Sequence, residues 1–124
     1  INGDTLYYAD TDNLYRIPIK TDGSAGEIET IFTTAAGAWI DDITVGNGMI
    51  AISRIPNPYS LIGAQDGYID LLDIKTHEVI KSIRSDDGPY KPSSVMISNS
   101  LQFGVGNLFV TDYFNGGLYV IEAQ

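Results

Sequence analysis

Apolar positions along this chain come in short runs, mostly alternating with polar ones, and each run ends in Gly, Pro, Asp or Asn. A period of two over a few residues marks half-buried strands, and punctuation this frequent leaves no room for helices. The pattern predicts ten strands. They are Thr5 to Asp10, Leu14 to Lys20, Ile28 to Thr33, Ile43 to Gly46, Met49 to Arg54, Tyr68 to Ile74, Val79 to Arg84, Ser94 to Ile97, Asn107 to Asp112 and Gly117 to Glu122. Eight Tyr, four Phe, 13 Gly and five Pro fit that reading, because aromatic and β-branched side chains suit a pleated surface while Gly and Pro interrupt it.

The strands repeat. LYYAD with LYRIPI, MIAIS with IDLLDI, and LFVTD with LYVIEA share one form: a strand ending in a polar residue, a connection, then a strand of apolar-x-x-apolar-x-apolar pattern. The middle copy supplies four strands in order, here A (ITVG), B (MIAISR), C (YIDLLDI) and D (VIKSIR), with C and D joined by the polar turn Lys75-Thr76-His77-Glu78. The first copy has B, C and D, and the third has A, B and C. Repeated meanders of this kind predict an all-β fold: about three blades, ten strands in all, of a β-propeller, in segments of roughly 1–36, 37–88 and 89–124. Three blades do not close a ring, so the array is expected to be incomplete without further blades. The pattern also admits a self-contained ten-strand sandwich, since periodicity does not fix how sheets close.

Composition narrows the functional classes. The chain has 124 residues, and 7 Lys+Arg against 16 Asp+Glu give a net charge of −9. Cations so few and so scattered argue against a nucleic-acid partner. No apolar run approaches the ~18 residues of a membrane-spanning helix, so no membrane partner is expected. Without cysteine there is no disulfide, thiolate metal site or cysteine nucleophile, and the compartment stays open between secreted and cytoplasmic. Gly104-Val105-Gly106 has no following helix, so no nucleotide or organic cofactor is expected. His77, the one histidine, falls in the C-to-D turn, where a Ser-His-Asp triad is improbable.

The stretches TLYYADTDNLYRIPIKTDGSAGE, WIDDITVGNGMIAIS and KPSSVMISNSLQFGVGNLFVTDYFNGGLYVIE, in that order, resemble the C-terminal part of the gluconolactonase, senescence-marker and strictosidine-synthase-like propeller family. The resemblance covers nearly the whole chain. It implies a six-bladed propeller with a small-molecule pocket on its axis and one divalent cation there (Ca, Mg, Mn or Zn), and lactone hydrolysis as the best-known activity. Family hydrolases carry an Ile-Pro-Asp-Gly-type segment before strand A, whose Asp ligates the metal. The matching residues are Trp39, Ile40, Asp41 and Asp42, which puts Asp41 in the ligand position. Asp42 departs from the family Gly and looks more like the synthase-like and fungal biosynthetic branches, which include cyclases. The family's other ligands, a Glu and two Asn, belong to segments upstream of a TLYYAD-like strand, so this chain contributes at most one. The expected partner is accordingly the missing N-terminal part of the propeller, in the same protein or on a companion chain, together with a small-molecule substrate.

In a propeller the D-to-A and B-to-C connections gather around the axis, which locates the candidates. Asp41 and Asp42 fall before strand A, as catalytic carboxylates or, for Asp41, a metal ligand; the alternative is a turn held by backbone N–H bonds. Arg54 opens the long connection RIPNPYSLIGAQ, stiffened by Pro56 and Pro58, as a catalytic cation beside a lid or a plain surface insertion. Trp39, Tyr59, Tyr90, Lys91 and Tyr113 are the candidate substrate contacts. Asp10, Asp12 and Asn13 lack the glycine and closing Glu of a calcium loop and are read as a B-to-C turn. Three functions remain open: metal-assisted lactone hydrolysis or related chemistry, a metal-independent cyclase of the Diels-Alderase type, and a non-catalytic binding or scaffold propeller.

Overall fold

The computed structural model describes residues 4–34, 38–56, 68–84, 101–104, 107–111 and 118–122. They form ten strands: β1 (Thr5–Ala9), β2 (Asn13–Pro18), β3 (Glu29–Thr33), β4 (Ala38–Gly46), β5 (Met49–Pro56), β6 (Tyr68–Asp73), β7 (Val79–Arg84), β8 (Leu101–Gly104), β9 (Asn107–Thr111) and β10 (Leu118–Glu122). The fold is all-β and antiparallel, in sheets of order β1-β2-β3, β4-β5-β6-β7 and β10-β9-β8.

Two strands depart from the sequence reading. β4 begins at Ala38 rather than Ile43. The cause is a bulge: Ile40 pairs Arg54, Asp42 pairs Ser53, and Asp41 between them is the extra residue. Ile43 and Val45 lie two apart on one face, while Ile40 is three residues before Ile43, so a strictly alternating strand would turn it to the other side. The inserted residue restores it to the same cluster, which lets the ladder run on. The strand pairing with β9 from the third sheet's far side is Leu101–Gly104; Ser94 to Ile97 lies outside the described residues. Gly104 suits this position, because a Cβ there would meet the Phe109 ring at 3.3 Å.

Local chemistry fixes the tight connections. Asn47 and Gly48, at φ 52° and 73°, make the two-residue turn between β4 and β5, a pair with the positive φ that the twist of a hairpin favours. Between β6 and β7, the Asp73 carboxylate accepts from the Lys75 and Thr76 amides at 2.7 and 2.9 Å, and His77 takes φ 61°. These bonds hold the Asp73 carboxyl below its usual range, through Thr76 first and Lys75 next.

The middle sheet is covered on both faces. Ile50, Ile52 and Leu72 pack with Leu14 and with Tyr7, Ala9, Ile31 and Phe32 of the first sheet. From the opposite face Met49, Ala51, Ile69, Leu71 and Ile83 pack with Leu108, Val110 and Ile121 of the third. Each fully buried aliphatic side chain is worth about 1.5–3 kcal/mol, so these two layers carry the core. The outer faces of the first and third sheets keep Leu6, Tyr8, Leu118 and Val120 exposed.

Candidate functional site

β1, β4 and β8 are edge strands of their sheets, and β4 lies against β1 on one side and β8 on the other. The three edges therefore converge. Thr11, in the turn between β1 and β2, accepts a hydrogen bond from the Ile40 amide at 2.9 Å, which ties that turn to β4 one residue before the bulge. The backbone carbonyl of Asp12 accepts from the Thr34 amide at 2.8 Å and anchors the approach to β4.

The turn itself is built by Asp10. Its Oδ1 accepts from the amides of Asp12 and Asn13 at 2.9 and 2.7 Å, and its Oδ2 accepts from the Tyr15 hydroxyl at 2.7 Å. The Tyr15 bond, then the two amides, hold the Asp10 carboxyl below its usual range, and the same bond raises Tyr15. Asp10, Asp12 and Asn13 thus make the β1–β2 turn.

The bulge places the two adjacent carboxylates differently. Asp42 is half-buried opposite Ser53, on the face that carries buried Thr44 and Ser53 toward the third sheet. Asp41 opposes no residue of β5, and solvent reaches it. Neighbouring protein still desolvates Asp41 in part, and this, with the Asp42 charge second, raises its carboxyl above the usual 3.8. A raised native value means that the folded state favours the protonated form. That contribution is complete below the unfolded-state value and is lost as pH climbs through the native one. Asp41→Asn is therefore expected to raise the urea midpoint at pH 7 and to change it least near pH 3, in parallel unfolding curves.

Arg54 is part of a polar row across the middle sheet in which Asp70 is buried. It lies opposite Ile40 on β5, and its Nε stands 2.7 Å from Asp70 Oδ2 on β6. The Ser82 hydroxyl on β7 donates to Asp70 Oδ1 at 2.5 Å. Asp70 is 1% exposed and the Arg54 side chain 19%, so the pair lies largely out of water. Arg54 lies in the strand, as the reading Met49 to Arg54 has it, and β5 runs two residues further, to Pro56.

Trp39, Asp41, Asp42 and Arg54 occupy neighbouring register positions at one end of the β4–β5 hairpin, with Asp42 and Arg54 on opposite faces of the sheet. Tyr59, Tyr90, Lys91 and Tyr113 lie outside the described residues. Asp70 and Ser82 were missed, although Asp70 inside the apolar stretch YIDLL, within diagonal reach of an Arg on the neighbouring strand, is the available signal. Among the described residues no group of three or more His, Asp or Glu is arranged to hold a metal ion. A Ca²⁺ takes six to eight oxygens, and Asp41 with Asp42 fills only part of such a set. Comparison with protein-family models, curated proteins and solved structures gave no match to this chain.

Proposed function

We propose that the three sheets are blades of a six-bladed β-propeller of the gluconolactonase-like type, and that the converging edge strands border a small-molecule site in which Asp41 is the acid–base residue. The observation that carries this reading is the bulge on β4. It sets a carboxyl with a raised proton affinity, reached by solvent, on the strand between the other two edges. Bulges of this kind re-aim side chains beside active sites. A carboxyl whose affinity is moved toward neutrality is better suited to exchange a proton with a ligand.

In the hydrolase form of the proposal Asp41 also contributes to a site for one divalent cation, whose further ligands come from the blades that complete the ring. Such a cation would supply Lewis acidity toward a lactone carbonyl. In that form Asp41 would hold the cation as its carboxylate, so proton exchange falls to Asp42 next to it, and Arg54, held by Asp70, stabilises charge developing on the ligand. A metal-independent cyclase is the second reading, favoured by Asp42 standing where the hydrolase pattern has Gly. Trp39 then helps to hold the reactive conformer, with Tyr59, Tyr90, Lys91 and Tyr113 as proposed companions.

Titration with Ca²⁺, Mg²⁺, Mn²⁺ and Zn²⁺ separates the forms. Stoichiometric binding lost in Asp41→Ala is expected for the hydrolase. Metal-free turnover of a polyene or quinone-methide-type substrate is expected for the cyclase. Absence of any small-molecule binding sensitive to Asp41 would overturn both and leave a scaffold.

A further inference from the structure

A β4 strand without its bulge would differ from the observed one in where a single amide points. Along an antiparallel strand the amides point alternately toward the partner strand and away from it. The Ile40 amide points away from β5, since it donates to the Thr11 carbonyl at 2.9 Å. If no residue were extra, the ladder through Ile43 with Ile52 and Asp42 with Ser53 would run on to pair Asp41 with Arg54 and Ile40 with Ile55. The Ile40 amide would then turn inward to β5, and its side chain would leave the face it shares with Ile43 and Val45. Thr11 would lose its donor.

The bond between Thr11 and Ile40 is therefore specific to the bulged register, and its acceptor belongs to the first sheet. Asp10 gives that acceptor its place. Its carboxylate takes the amides of Asp12 and Asn13, its own amide donates to the Asn13 carbonyl at 3.0 Å, and Thr11 is enclosed between them. The Asp12 carbonyl, bonded to the Thr34 amide, ties the far side of the turn to the segment that leads into β4. We infer that Asp10 is a positioning residue for Asp41: the turn it builds presents the Thr11 carbonyl to Ile40 and so holds β4 in the register that leaves Asp41 as the extra residue.

The inference rests on the reading of Asp41 as the acid–base residue or cation ligand of the proposed site, and it names what keeps that residue available. In the slipped register Asp41 would stand directly opposite Arg54 on one face, where opposite charges on neighbouring strands pair. The guanidinium held by Asp70 would then face a second carboxylate, and the site would lose its carboxyl and its cation together. Asp10 touches no ligand in this scheme. It acts from one sheet on the strand of the next.

NMR of the 124-residue chain reads the register directly. Facing residues whose amides point outward bring their α protons close together, so a nuclear Overhauser contact between the α protons of Ile40 and Arg54 is expected in the parent chain. In Asp10→Ala, at an exposed position, that contact should weaken, one between Asp41 and Arg54 should appear, and the Ile40 amide should exchange with solvent at least about tenfold faster. The amides of Ile52 and Leu71, inside the middle sheet, should keep their rates, which separates slippage from a general loss of stability. Asp10→Asn retains an oxygen for the two amides of the turn and should behave as the parent does. An Ile40 amide that Asp10→Ala leaves unchanged, faster exchange of all three amides together, or an Asp10→Asn chain that behaves as Asp10→Ala would each overturn the inference. The cation and Asp41 titrations read the proposed site separately, so their failure would strike that site while leaving the register result standing.

Discussion

Replacing Asp70 by Ala is expected to cost about 3 kcal/mol of folding stability, measured by urea unfolding at pH 7. The reason lies in what the substitution leaves behind. Asp70 is 1% exposed, and it neutralises Arg54 and accepts the Ser82 hydroxyl. Removing it takes a carboxylate at 2.7 Å from a guanidinium that keeps only 19% exposure, whereas water can replace it at the exposed Ser82 hydroxyl. Loss of one partner of a buried pair typically costs about 3–5 kcal/mol, and the partial exposure of Arg54 puts this one at the lower end. Ser82→Ala, which removes one hydrogen bond, should cost only about 1 kcal/mol.

The double replacement Arg54→Met with Asp70→Leu separates stability from function. Apolar residues of similar volume often match or exceed a buried pair in stability, so the double variant should recover most of the loss. If Arg54 acts on the ligand as proposed, that recovered protein binds it poorly. Recovery of stability together with full ligand binding would show that the row is structural alone.

Much of the fold was legible because the strands have a strict period of two and the repeat supplies three readings of one register. The second-strand repeat puts Ile17, Leu72 and Ile121 in one place, and pairing then matches Leu6, Ile50 and Leu108, whereas the repeat LYYAD, MIAIS and LFVTD aligns Met49 with Leu6 and Leu108, one residue out of step. The boundaries of β4 were not legible. Asp41 and Asp42 read as part of the connection before a strand that starts at Ile43, since consecutive acidic residues are poor strand formers. What overrode that tendency was pairing: the segment Arg54–Pro56 continued β5, and a single bulge kept Ile40 with Ile43 and Val45 in the core. β8 is a strand the sequence reading did not include. Ser94 to Ile97 and Leu101 to Gly104 are both short apolar runs, and only the latter precedes Asn107 closely enough for a hairpin, in which Gly104 pairs Asn107. The carboxylate–guanidinium row escaped because Arg54 and Asp70 are 16 positions apart, and only the β5–β6 register makes them neighbours.

The account stands on the claim that a sheet in this chain buries its apolar face only where another sheet lies on it. Ile69 and Leu118 hold equivalent register positions and differ in that one respect, so the comparison of Ile69→Asp with Leu118→Asp is the most direct test. Both are to be measured by urea unfolding at a concentration low enough to keep the chain monomeric. Ile69→Asp places an unpaired carboxylate between two packed sheets, and a loss of more than about 4 kcal/mol, enough to unfold a domain of this size, is expected. Leu118→Asp places it on an open face, and a change within about 0.5 kcal/mol is expected. Equal losses at the two positions would contradict the claim, because they would mean that the outer face of the third sheet is already sealed within the single chain.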